Sequence, residues 1–78
     1  MTKEVVSAPK VATPPAPISM ATKAGNLVFV AGIVALDASG NTVGDGDIKA
    51  QTRQVLENIK ELVGAAGGTL SDVTKTTV

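Results

Sequence analysis

Between Asp47 and Gly67 the chain carries the pattern that most limits its fold. Ile48, Thr52, Val55, Leu56, Ile59, Leu62, Val63 and Ala66 recur at helical spacing and share one face of an α-helix. Lys49, Arg53, Gln54, Glu57, Lys60 and Glu61 take the opposite face. Asp47 is placed to accept hydrogen bonds from the first-turn amides, and Gly67-Gly68 stops the helix. Such a helix cannot stand alone. Burying a large aliphatic gains roughly 2 kcal/mol, while ordering each backbone residue costs about 1–2 kcal/mol. The apolar face therefore needs a sheet to pack on.

Strand signals lie on both sides of the helix. Glu4-Val5-Val6 reads as a short first strand. All four prolines fall between Ser7 and Met20, which makes that stretch extended and irregular, either a linker or an ordered arm over the rest. Ala24-Gly25-Asn26 is a turn signal. Leu27-Val28-Phe29-Val30-Ala31 follows as a continuous apolar run, the pattern of a strand buried on both faces. Gly32 interrupts it, suggesting a bulge or the close approach of another group, and Ile33 to Leu36 continue the strand. Asp37-Ala38-Ser39-Gly40-Asn41 is turn chemistry, with Thr42-Val43 returning as a short strand. After the helix, Val73-Thr74-Lys75-Thr76-Thr77-Val78 is almost wholly β-branched and predicts a last strand. It ends without a turn residue, a charged cap or a polar tail, which implies neighbours or a continuation beyond Val78. The order strand, strand, helix, strand is that of an α+β fold, with helices on one face of a sheet.

Composition excludes several classes of function. The 78 residues allow one domain at most, and the absence of cysteine fits a reducing compartment. Without histidine or cysteine, the usual zinc, haem and iron–sulfur ligand sets and the Ser-His and Cys-His nucleophiles are missing. Seven basic residues balance seven acidic ones, and Phe29 is the sole aromatic, so nothing points to nucleic acid or an anionic membrane. The start lacks a signal-peptide core, and the apolar run from Leu27 to Leu36 falls short of the ~20 residues that span a bilayer. A soluble, cytoplasmic protein is expected.

Four candidate motifs read as structural features. Gly44-Asp45-Gly46-Asp47 precedes the helix like a phosphate loop, but its aspartates would repel the anion and no Lys-Ser/Thr pair follows. Asp37, Ser39, Asn41 and Asp45 have the alternate spacing of a calcium loop, yet Thr42 and Ile48 stand where glycine and glutamate are needed. Glu57 and Glu61, one turn apart beside Lys60, read as a solvated face rather than an acid–base pair. Arg53 and Glu57 read as a surface pair.

Taken together, three stretches resemble the RidA/YjgF/RutC family. They are Lys23 to Gly32, Asp45 to Lys60 with its Ala-Gln-Thr-Arg-Gln-Val-Leu-Glu-Asn-Ile run, and Ala65 to Val78 with its Val-Thr-Lys-Thr-Thr-Val run. The resemblance extends from about Ala8 onward, and Ala66 to Thr74 is most similar to the RutC branch. It implies a chorismate-mutase-like fold, a β-sheet with two helices on one face, assembled as a homotrimer around a central barrel. Residues 1–78 then form the N-terminal portion of a single domain of this kind.

The resemblance also implies an activity: hydrolytic deamination of reactive enamines and imines to carbonyl compounds and ammonia, without cofactor or metal. Ligands of the family sit in clefts between subunits, where an arginine grips the substrate carboxylate and a glutamate positions water. Both belong to the family's second half, beyond Val78. Pro17-Ile18-Ser19-Met20-Ala21 matches the family's Pro-Tyr-Ser-Gln-Ala, so Ile18 stands in place of the pocket tyrosine. Ala31 stands in place of the pocket serine, and Gly32 is retained. The expected substrate-binding residues are therefore Gly32, through its backbone, with Ala31 and Ile18 lining the site. A more apolar site suits a bulkier imine. The rival expectation is a non-catalytic trimer that binds a metabolite or client in the same cleft. RNA cleavage, attached to some family members, ranks below both because no basic patch is present.

Overall fold

The computed structural model describes residues 3–13 and 18–77. Three strands, β1 (Glu4–Val6), β2 (Ala21–Ala24) and β3 (Leu27–Val30), form an antiparallel sheet in the order β1-β2-β3. One helix, α1 (Ile48–Ala65), and a short 3₁₀ turn (Leu70–Asp72) follow. Among the described residues the order is strand, strand, strand, helix. Two features correct the sequence reading. β2 forms where the sequence gives no strand signal, because Ala21-Thr22-Lys23-Ala24 has weak strand composition and takes its conformation from pairing on both sides. Conversely, residues 73–77 form no strand despite their composition and stay exposed. A strand exists through its neighbour, and this segment has none among the described residues. Val78 and the Pro14–Pro17 part of the proline arm lie outside the described residues.

Register builds the core. Val6 pairs with Ala21 and Ala21 with Val30, so these side chains share one face of the sheet. On that face lie Leu62 of α1 and its C-cap residue Ala66, together with Ala8 and Val11, which fold back from β1 as an ordered arm. Leu62 is fully buried, at 0% exposure. Gly25 takes φ +60° as the first of the two residues linking β2 to β3, the type II′ hairpin pattern.

The other face of the sheet is bare. Leu27 and Phe29 are each 59% exposed, and Val5, on the same side, is exposed too. The continuous apolar run thus corrects to a strand covered by the helix on one side only. β3 also ends earlier than its composition suggests. Residues 32–34 leave the ladder, and Leu36 and Thr42 pair through an isolated bridge around the Asp37–Asn41 turn.

The helix is held at both ends by the residues its sequence marks. Asp47 Oδ1 accepts from the amides of Lys49 and Ala50 at 3.1 and 3.2 Å. At the C-terminus, the Gly67 amide donates to Gly64 O and the Gly68 amide to Val63 O, at 3.0 and 2.9 Å. That is a Schellman closure, with Gly67 at φ +94°. Lys23 Nζ crosses from β2 to donate to Ala66 O at 3.2 Å, setting a cation at the negative end of the helix.

Leu62, Val63 and Ala66 of the expected apolar face are buried, and Asn58 joins them, while Leu56 is 50% exposed and Ile48 is exposed as well.

Candidate functional site around Gly32

The candidate site is built where β3 gives out. The Ala31 amide donates to Met20 O at 2.9 Å, carrying the β2–β3 ladder one step past the strand ends. This bond sets the segment Ile18-Ser19-Met20 beside Ala31 and Gly32. Ala31 is half-buried, and Gly32 is exposed. Among the described residues the Gly32 amide has no hydrogen-bond acceptor. No heavy atom lies within 4 Å of where a Cβ would stand on Gly32. The close approach expected at this glycine is therefore not made by the described part of this chain.

Ile18, at 57% exposure, edges a small cavity of about 130 Å³ lined by Val6, Ala8, Val11, Met20 and Leu62. Ala31 and Gly32 do not line that cavity. Met20 is the shared element, touching the cavity wall on one side and bonding Ala31 on the other. A larger hollow of about 410 Å³ lies between Lys60, Glu61 and Gly64 of α1 and Thr69-Leu70-Ser71. None of the expected site residues lines it. Its position follows from the Schellman closure, which turns the chain away from the helix axis and leaves a groove.

The chemistry available beside Gly32 is limited. Ile18, Met20, Ala31 and Ile33 are apolar, and Ser19 supplies the sole side-chain hydroxyl of residues 18–20 and 31–33. No ionisable side chain stands in these two segments. The arrangement offers an open backbone amide on an apolar floor, suited to holding an anionic or carbonyl oxygen but not to moving a proton. No group of three or more metal-ligating side chains occurs among the described residues. The Asp37 carboxyl is held below its usual range chiefly by the hydrogen bond from the Asn41 amide, with Ser39 adding a second. It closes the turn that follows the site.

The family described as Endoribonuclease L-PSP matches residues 7–78. The chain belongs to the RidA/YjgF/RutC (L-PSP) family. A RutC family protein of Pyrococcus horikoshii is 50% identical over 76 residues, covering 97% of this chain and 60% of the relative. The 3-aminoacrylate deaminase RutC of Acinetobacter baylyi is 49% identical over 74 residues, 95% of this chain and 59% of that protein. Among solved structures, RidA from the Antarctic bacterium Psychrobacter superposes with a TM-score of 0.81 at 35% identity, covering 90% of this chain and 56% of that one. A Thermotoga maritima structure gives 0.86 at 36% identity, over 94% and 57%. The chain thus spans about 60% of the length of these Rid relatives and carries about half of the RidA-type fold. No helix among the described residues is long and apolar enough to cross a membrane.

Sequence reasoning missed one residue of the candidate site region. Asn58 reaches from α1 to the segment that follows Gly32, donating to Val34 O and Leu36 O. The only signal was a lone polar residue next to the apolar helix face.

Proposed function

We propose that this chain is the N-terminal portion of a single Rid domain. The full-length protein is a cytoplasmic homotrimer that hydrolyses reactive enamine or imine metabolites without cofactor or metal. The observation that carries this reading is the 49% identity, along 95% of the chain, to the Acinetobacter baylyi 3-aminoacrylate deaminase. In the reaction, water adds to the imine carbon, the C–N bond breaks, and a carbonyl compound and ammonia leave. The Gly32 amide binds the ligand carboxylate at a subunit boundary, with Ala31 and Ile18 as apolar walls. The charge-bearing groups, an arginine for the carboxylate and a glutamate for water, come from the part of the relatives that this chain does not span. Two apolar residues in place of hydroxyl-bearing ones favour a bulkier imine, of aminomuconate-like or pyrimidine-derived type.

One observation favours a second reading. Residues 18–20 and 31–33 contain no acid or base, which suits a trimer that binds a metabolite or client in the same cleft without turning it over. Gly32→Val in the full-length protein separates the two. A Cβ there meets no heavy atom within 4 Å among the described residues, so the trimer should assemble while ammonia release from an imine generated in situ falls about tenfold or more. Unchanged turnover by an assembled Gly32→Val trimer would remove the site assignment. Ligand binding without turnover by the wild type would favour the binding protein.

A further inference from the structure

Gly32 and Ile33 bridge two anchors. On one side, Ala31 is bonded to Met20 across the end of the sheet. On the other, residues 34–36 lie outside the sheet, and the Leu36 amide donates to Val34 O at 2.9 Å. Asn58 adds donors to this turn from the helix. The Asn58 side chain is only 3% exposed, and its Nδ2 donates to Val34 O at 3.3 Å and to Leu36 O at 2.9 Å. The carbonyl between them, Ala35 O, accepts from the Val43 amide at 2.9 Å, so the three residues are clamped from both sides.

The orientation of the Asn58 amide is not free. Its Oδ1 accepts from Gln54 Nε2, one helical turn earlier, at 2.9 Å. A flipped amide would turn Oδ1 toward two carbonyl oxygens and its NH₂ toward that of Gln54, opposing like partial charges at each contact. Both Asn58 donors and its acceptor are thus used, in a buried place where lost bonds are not replaced by water.

We infer that Asn58, oriented by Gln54, is a positioning residue that fixes the direction of the Gly32 backbone amide from helix α1. This rests on the proposed role of Gly32 as the ligand-binding amide. It assigns the helix a function besides covering the sheet, and it explains why the helix turns an asparagine inward while Leu56 faces out. An aspartate could not substitute, because an ionised carboxylate accepts and does not donate.

The test uses the full-length protein and two readouts. In Asn58→Leu, backbone ¹⁵N order parameters of Gly32 and Ile33 should fall from the rigid range near ~0.85 to below about 0.6, with α1 unchanged. The KM for a carboxylated imine should rise about tenfold, with kcat within about twofold, because an aimed amide contributes binding rather than chemistry. Gln54→Leu, at a partly exposed position, should move both readouts the same way by a smaller amount, and it serves if Asn58→Leu does not fold. Wild-type order at residues 32–33 in a folded variant would overturn the inference. So would a loosening spread evenly over the whole chain, which is the mark of a purely structural role. If the wild type proves inactive on imines, the order parameters still decide the positioning role, so the two readings fail separately.

Discussion

Helix α1 and the segment 73–77 both announce themselves strongly in local composition, but only one becomes regular structure. α1 runs for 18 residues between a side-chain cap and a glycine closure. The β-branched segment forms no strand and is exposed. The difference lies in where each finds its hydrogen bonds. A helix closes its ladder within itself and needs help only at its ends. A strand's amides and carbonyls point sideways and require a second strand. β3 shows the intermediate case, paired along one edge to β2 yet bare on the face away from the helix. Local sequence therefore determines a helix more completely than it determines a strand.

The most decisive way to break this comparison is to isolate the chain. With Leu27, Phe29 and Val5 exposed beside an unpaired edge, the 78-residue chain alone should associate in sedimentation rather than behave as a stable monomer. A cooperative unfolding transition from a monomer would show that the described residues suffice. Next in size is the helix orientation, measured by denaturant unfolding of the full-length protein. Leu62→Ala should cost about 2–5 kcal/mol by opening a cavity at a fully buried position. Leu56→Ala should cost clearly less, since that side chain is half exposed. Equal losses would place Leu56 in the core, as its apolar pattern suggested.

Removing the cap sharpens the comparison further. Asp47→Ala should cost about 1 kcal/mol through the two first-turn amides it leaves unpaired. Asp47→Asn, which keeps an acceptor, should recover most of that. The smallest effect is at the Asp37 turn. Its carboxyl is held below the ordinary value of 3.8, so the stabilisation it gives is complete above that value and is lost as pH falls below it through the folded value. Following the Ser39 and Asn41 amide resonances from pH 6 to pH 2, roughly the range over which a carboxyl titrates, should show the turn loosening only in the acid part. Asp37→Asn should remove that dependence.

Several parts of the fold were legible from residues alone. Asp47 as cap, Gly67 as stop, the turn at Gly25-Asn26 and the turn begun by Asp37 each depend on bonds made within a few residues. The family membership was legible too, because the Ala50 to Ile59 run and the Val73 to Val78 run carry it in their residue order. The candidate site was legible only as positions. Ile18, Ala31 and Gly32 stand out in the sequence, but nothing there says that the glycine would be open or that Ile18 would border a separate cavity.

Contacts between distant parts of the chain decided the rest. Ala21 to Ala24 became a strand because two neighbours bracket it, which its own composition does not demand. Lys23 reached the end of α1 across 43 positions of sequence. Asn58 lies inward, where it donates to carbonyls 24 and 22 positions earlier in the chain. By itself, the sequence determined the elements whose hydrogen bonds close locally. The burial of Asn58, the pairing of β2 and the clamp behind Gly32 were decided by tertiary structure, because a buried polar group is satisfied by whatever lies opposite it in space.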